Sequence, residues 1–264
     1  MNTHNTSILI TGGTGNLGGF LVPRLVGAHG PVRVVSRSKH ESTDNVEFTV
    51  GNVSTGQGLE NALNGIETIV HLAGSNKGDE AKTANLVQAA QHTGAKHLVY
   101  ISVVGADRIP VESAIDRAMF GYVAAKRASE EIIAESGIPW TTLRATQFHE
   151  LIFAMAQGMT KMPVVPVPSL LAQPIGASDV ADRLIELAIG EPLGLVPEIG
   201  GPKVYELRDL IGSYMKAVGK ERPMLSIRLP GKAAAAYRAG ANLTPDRAVG
   251  EQTWEEFLKT VTPR

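Results

Sequence analysis

A phenol and an ammonium stand four residues apart at Tyr122-Val123-Ala124-Ala125-Lys126. That spacing puts both groups on one face of a helix, within reach of a common ligand. A free phenol has a pKa of about 10 and is a poor acid or base at neutral pH until a neighbouring cation favours the phenolate. Lys126 is such a cation, and an ammonium also hydrogen-bonds sugar hydroxyls. Ser102 closes the β-type run His97-Leu98-Val99-Tyr100-Ile101-Ser102 and points toward the crevice where ligands collect in open α/β sheets.

The second constellation is Thr11-Gly12-Gly13-Thr14-Gly15-Asn16-Leu17-Gly18, between an apolar run and a helical pattern. Gly12 permits a tight turn, Gly15 lets the backbone approach a pyrophosphate, and Gly18 lets the helix pack closely on the strand. Free N–H groups and the positive end of the new helix then meet the phosphates. No Gly-Lys-Ser/Thr follows, so the loop is a dinucleotide loop and not a Walker A loop. About 20 residues further on, where an acidic residue would bind both ribose hydroxyls of NAD, the chain reads Ser36-Arg37-Ser38-Lys39. Arg37 with Ser36, Ser38 or Lys39 forms a basic, hydroxyl-rich pocket for a 2′-phosphate, which favours NADP(H) over NAD(H). The competing reading of Arg37 is a solvated charge at a strand end. Further candidate cofactor contacts are Thr14, Asn16, Leu17, Asn52, Val53, Leu72, Ala73, Gly74, Lys126 and Ala145.

Positioning these groups takes alternating strands and helices. Short Val-, Ile- and Thr-rich runs at 7–11, 32–36, 46–50, 68–72, 97–102 and 140–144 read as buried parallel strands. Helical patterns fill 16–28, 58–63, 80–93 and 119–136, so the chain reads as right-handed βαβ units in a Rossmann-type doubly wound α/β sheet. Past residue 146 the rhythm changes, with Pro-rich pieces at 162–168 between helices. Residues 1–146 are therefore expected to bind the nucleotide and 147–264 to form a small α/β substrate lobe, the two making a single folded unit. In that lobe Ser178-Asp179 reads as an N-cap and acidic first turn, 195–199 as a strand, 207–218 as a helix ended by Gly219, and Thr253-Trp254-Glu255-Glu256 as a capping box. The loop 106–118 should border the substrate cavity, with Phe153, Met155, Met159 and Met162 as an apolar wall or as plain core. His149 reads either as a crevice residue or as the polar first turn of a helix.

Composition supports a folded enzyme-sized domain and excludes several classes. With 264 residues and no Cys, the chain needs no disulfide, and it has no thiolate metal site or cysteine nucleophile. His92 and His97 do not share a face, and His71 at a strand end reads as structural, so no metal is expected. A balance of 25 basic and 26 acidic residues offers no general field for nucleic acid or membrane. The polar start Met1–Thr6 has no signal-peptide character, and no apolar run reaches 18 residues, which leaves the cytoplasm as the expected compartment. Monomer and homodimer both stay open.

These motifs resemble the atypical short-chain dehydrogenase/reductases, in the NmrA-like or NAD(P)H-binding branch. The resemblance rests on residues 11–18, Tyr122 to Lys126, the strand 97–105, Trp140 to Phe148, and Pro174 to Ala181, and it covers nearly the whole chain. It implies a Rossmann fold carrying NADP, Tyr122 as proton donor, Lys126 as its activator and Ser102 as the carbonyl clamp. Three positions depart from the pattern or test it. Asn52 replaces the Asp that accepts from the adenine amino group, Ala145 stands where a Pro is common, and Asn85 is either a relay asparagine or a surface residue. The expected activity is an NADPH-dependent reductase acting on a carbonyl or quinone-like small molecule. The alternatives are a non-catalytic NADP(H) sensor and, ranked below it, a sugar-nucleotide epimerase or dehydratase.

Overall fold

The computed structural model describes residues 7–74 and 78–262; Met1–Thr6 lie outside them. Its strands are β1 (Ile8–Thr11), β2 (Val32–Ser36), β3 (Val46–Val50), β4 (Thr68–His71), β5 (His97–Val103), β6 (Trp140–Ala145), β7 (Val165–Pro168), β8 (Leu171–Ala172), β9 (Gly194–Leu195), β10 (Tyr205–Glu206) and β11 (Met224–Ile227). The helices are α1 (Asn16–His29), α2 (Leu59–Leu63), α3 (Asp79–Gln91), α4 (Ala114–Ala134), α5 (His149–Met159), α6 (Ala177–Ile189), α7 (Leu207–Ala217), α8 (Lys232–Arg238) and α9 (Trp254–Val261). In space the chain divides into two compact units, each of three segments. Of the described residues, the first holds those up to Ser102 with Ala124–Leu143 and Val180–Pro197, and the second holds Val103–Val123, Arg144–Asp179 and those from Glu198 onward.

The first unit carries the seven-stranded parallel sheet, in the order β3-β2-β1-β4-β5-β6-β9. Strand order reverses between β1 and β4, and ligands bind beyond the carboxyl ends of strands at such a reversal. Leu9, Ile69, Leu98 and Tyr100 on the strands pack with Leu59, Leu63, Leu86 and Ala90 of α2 and α3 into one core. In α3 the residues Leu86, Val87, Ala89 and Ala90 are buried while Ala84, Gln88 and Gln91 are exposed. The expected strand at 195–199 joins this sheet as β9, shortened to two residues.

The second unit corrects three local expectations. Residues 165–168 of the Pro-rich stretch form β7, which pairs with β11 in parallel. Pro166 and Pro168 alternate with Val165, whose N–H donates to Pro223 O, so the missing donors fall on the unpaired side of an edge strand. Helix α6 starts at Ala177, so Ser178 lies inside its first turn and is not its N-cap, while Asp179 is the expected acid of that turn and its carboxylate accepts from Glu251 N. Helix α4 starts at Ala114, five residues before the expected 119. There Ser113 and Asp116 bond each other reciprocally, Ser113 Oγ donating to Asp116 Oδ2 at 2.7 Å and Asp116 N donating to Ser113 Oγ at 3.0 Å. The helix then kinks at Phe120 (φ −128°, ψ 15°). Thr253 caps α9 with the expected reciprocal box to Glu256, and Trp254 behind it is fully buried, its Nε1 donating to Ser213 Oγ.

Candidate active site

The glycine loop joins β1 to α1 as the sequence requires. Gly12 has φ +73°, and a Cβ there would lie 2.7 Å from Ala73 N, so the loop rests directly on the end of β4. Gly15 N donates to Gly12 O at 3.0 Å, and Gly15 caps α1 with no side-chain bond, which leaves the first amides of the helix to a ligand. Thr14, Gly15 and Asn16 are exposed at the tip, while Leu17 and Gly18 are buried and act through packing. A Cβ at Gly15 would narrow this cradle to 3.2 Å from Gly12 O. The loop therefore fits a pyrophosphate.

At the end of β2, Ser36 Oγ accepts from Ser38 N at 3.3 Å and meets His40 Nε2 at 3.0 Å. The imidazole lies against the Phe48 ring, 4.9 Å between centroids. Arg37 and Lys39 are exposed beside it. His40 escaped the sequence reading because only β3, which carries Phe48, turns it back onto Ser36. At the end of β3 the Asn52 amide oxygen accepts from Ser54 N at 2.9 Å, so the turn takes one of its two lone pairs. Asn85 donates to Val53 O at 2.9 Å and braces that same turn.

Beneath the loop a chain of buried polar groups ties β1, β4, α3 and α4 together. Thr11 Oγ1 lies 2.6 Å from His71 Nδ1, and His71 Nε2 lies 3.3 Å from Thr83 Oγ1, which donates to Asp79 O at 2.9 Å. Thr83 Oγ1 also meets Ser129 Oγ of α4 at 3.1 Å, so both ring nitrogens of His71 face hydroxyls of one continuous network. His71 is thus neutral and structural, as its position at a strand end suggests. Burial first, and then the charge of Lys126, push its pKa down to about 3. The group gains protons in the unfolded chain well before the folded one, so its contribution is whole above pH 6.5 and is lost as pH falls toward 3. The loss runs at up to about 1.4 kcal/mol per pH unit. Urea unfolding at pH 7, 6 and 5 should show this decline, with a shallower slope in His71→Gln; an unchanged slope would remove His71 as its source.

Lys126 is 4% exposed. Its Nζ donates to Ile101 O at 3.1 Å, lies 3.4 Å from Asp79 Oδ2, and sits 4.8 Å from the centroid of the Tyr100 ring. Ser102, one residue beyond Ile101, is 2% exposed, and its Oγ has no hydrogen-bond partner among the described residues. Tyr122 is half-buried on α4, one turn before Lys126 and two residues past the kink. Leu72 and Ala73 are half-buried and Gly74 exposed where β4 ends.

In the second unit, Ala145 is buried and bridges to Ile199. The neighbouring Arg144 is 3% exposed and pairs with Asp107 Oδ2 at 2.8 Å, a carboxylate whose other neighbour in sequence, Arg108, pairs with Glu198 at 3.0 Å. Burial raises the Asp107 carboxyl, but the hydrogen bond and charge of Arg144 outweigh it and hold it below the usual range. Of the loop expected to border a cavity, Asp116 is buried and accepts from Ala233 N at the start of α8. Phe153 and Met159 pack on the core around Trp254, whereas Met155 and Met162 are exposed, so the four do not make one wall. His149 is fully buried, its Nε2 donating to Gln252 O at 3.0 Å and its ring stacked on Phe257, which makes it a core residue at the start of α5. Among the described residues no group of His, Asp and Glu is arranged to hold a metal ion, and no helix is long and apolar enough to cross a membrane.

A model of the NAD(P)H-binding family matches residues 12–188, from the glycine loop through α6. The chain belongs to this family. Relatives of this NAD(P)H-binding protein include quinone oxidoreductase 2 of Escherichia coli, 28% identical over 227 residues that make up 81% of this chain and 75% of that one. Another is the (4-alkanoyl-5-oxo-2,5-dihydrofuran-3-yl)methyl phosphate reductase of Streptomyces griseus, 26% identical over 221 residues, 81% of this chain and 74% of that one. The fold also matches solved structures. The NADPH complex of the Escherichia coli quinone oxidoreductase superposes with a TM-score of 0.80 at 20% identity, over 96% of this chain and 99% of that one. A Citrobacter triphenylmethane reductase complexed with NADP(H) gives 0.74 at 18% identity, over 96% and 99%.

Proposed function

We propose that this chain is an NADPH-dependent reductase that delivers hydride to a carbonyl or quinone-like small molecule. The observation that carries the reading is Ser102, a buried hydroxyl without a hydrogen-bond partner among the described residues, placed at the carboxyl end of β5 one residue from the carbonyl that holds Lys126. Buried hydroxyls are bonded in folded proteins, and one left open at the ligand end of a sheet is a group prepared for a ligand oxygen. The two curated relatives, both named as an oxidoreductase or reductase, support the same class.

In this reading the amides of 14–16 hold the pyrophosphate, Ser36 and Arg37 hold the 2′-phosphate, the turn at Asn52 and Val53 borders the adenine, and Gly74 and Lys126 border the nicotinamide half. Bound NADPH supplies the hydride. Ser102 donates a hydrogen bond to the acceptor oxygen, Tyr122 gives that oxygen its proton, and Lys126 favours the phenolate left behind. The partner is a small molecule, with no nucleic acid or membrane involved, in a cytoplasmic setting. Incubation with NADPH and a panel of quinones, aldehydes and ketones, followed at 340 nm, tests the activity. Nucleotide binding with no acceptor reduced would turn the assignment to a sensor.

Cofactor choice has its own test. Arg37→Ala should weaken NADPH binding by about tenfold or more while leaving NADH within about twofold, the loss of one charge-assisted contact to a phosphate. Calorimetric titration of both nucleotides reads it directly. Wild-type protein that binds NADH as tightly as NADPH would overturn the 2′-phosphate pocket.

A further inference from the structure

We infer that Asp79 is a positioning residue of the reductase site, acting through Lys126 on the nicotinamide half of the nucleotide; the inference rests on the NADPH reading above. Lys126 and Asp79 are among the most deeply buried charged groups of the first unit, 4% and 1% exposed. A full charge removed from water requires a full counter-charge and well-placed hydrogen bonds. The Ile101 carbonyl and the Tyr100 ring offer only partial charge to Nζ. The Asp79 carboxylate, 3.4 Å away, offers a whole one.

Asp79 is itself held firmly. It is the first residue of α3, where a helix favours an anion, and its other oxygen takes Lys82 Nζ at 3.1 Å. Its backbone carbonyl accepts from Thr83, whose hydroxyl continues to His71 and Thr11 at the root of the glycine loop. Gly74 lies over the pair: a Cβ there would stand 3.2 Å from Asp79 Oδ2 and 3.4 Å from Lys126 Nζ. The ammonium is thereby fixed below an exposed glycine at the switch point of the sheet. Without the carboxylate, the flexible four-carbon arm loses the full counter-charge that fixes its ammonium at this place. Asp79 does its work at a distance from the 2′-phosphate pocket, so the two halves of the nucleotide should respond differently to its loss.

The test compares calorimetric affinities for NADPH and for adenosine 2′,5′-bisphosphate, which carries only the adenine half, in wild type, Asp79→Asn, Asp79→Glu, Lys126→Met and the Asp79→Asn/Lys126→Met double variant. Asp79→Asn and Lys126→Met should each weaken NADPH by about tenfold and leave the bisphosphate within about twofold. The double variant should be no weaker than either single one, because both changes remove the same contact. Asp79→Glu, which keeps the charge, should bind NADPH within about threefold of wild type. Unchanged NADPH affinity in Asp79→Asn overturns the inference, as do losses that multiply in the double variant or an equal loss of both ligands. Should Asp79→Asn fail to fold, Asp79→Glu binding as weakly as Lys126→Met overturns it. Wild-type protein that binds neither nucleotide overturns the NADPH reading itself and takes the inference with it.

Discussion

Tyr122→Phe is expected to lower turnover by a factor of about 10²–10⁴, the usual yield of a positioned proton donor, while NADPH affinity stays within about twofold of wild type. The argument starts from spacing: Tyr122 and Lys126 lie one turn apart on α4, and the buried ammonium is fixed by Ile101 O and Asp79. Removing the phenolic oxygen takes away the proton and leaves the ring, so packing and nucleotide contacts persist. The size of the effect should also depend on the acceptor. Hydride addition to a ketone leaves an alkoxide, a strong base that needs its proton early, whereas a quinone leaves a stabilised hydroquinone anion that water protonates readily. Steady-state rates at 340 nm with matched ketone and quinone acceptors, alongside calorimetric NADPH titration, check both parts. Full turnover in the variant would remove Tyr122 as the donor, and a loss confined to ketones would point to quinones as acceptors that manage without it.

What the sequence makes legible is local. The glycines of 11–18 announce a strand, a turn and a helix within eight residues, and the six strands of the nucleotide half appear within a residue or so of their expected limits. What it hides depends on pairings across long stretches of chain. Asp79 and Lys126 meet because β4 and β5 are neighbours, and no pattern within α3 or α4 alone requires it. His40 reaches Ser36 because β3 supplies Phe48 as its platform. Residues 165–168 become a strand because β11, almost sixty residues on, lies beside them. The early start of α4 is a different case. Ser113-Ala114-Ile115-Asp116 is a capping pattern in plain view, but the surrounding charged residues and Pro110 make the segment read as loop. The site divides the same way: Tyr122, Lys126, Ser102 and the loop are visible as types at spacings, while the carboxylate that holds the lysine is visible only in the fold.

Gly18→Ala should cost at least about 100-fold in NADPH affinity and lower the unfolding temperature, although alanine is the better helix former by about 1 kcal/mol. Gly18 lies inside α1 with ordinary helical geometry, so backbone freedom is not its role. A Cβ there would stand 2.4 Å from Gly13 O and 2.5 Å from Gly12 O. Both atoms are backbone of the phosphate loop, and no rotamer change relieves the contact. The helix must lift from the loop, or the loop must open toward the place of the pyrophosphate; overpacking of this kind costs about 1–3 kcal/mol before any effect on binding. Gly19, next along the same helix, is the control. A Cβ there meets nothing within 4 Å, and the residue is exposed. Gly19→Ala should therefore gain up to about 1 kcal/mol, or roughly 2–4 °C in unfolding temperature, and bind NADPH as wild type does. Thermal scans and NADPH titrations of the two variants measure opposite responses to the same added methyl group. If Gly18→Ala follows Gly19→Ala in both, close contact between helix and loop is not what this glycine provides, and the pyrophosphate cradle loses its support at that position.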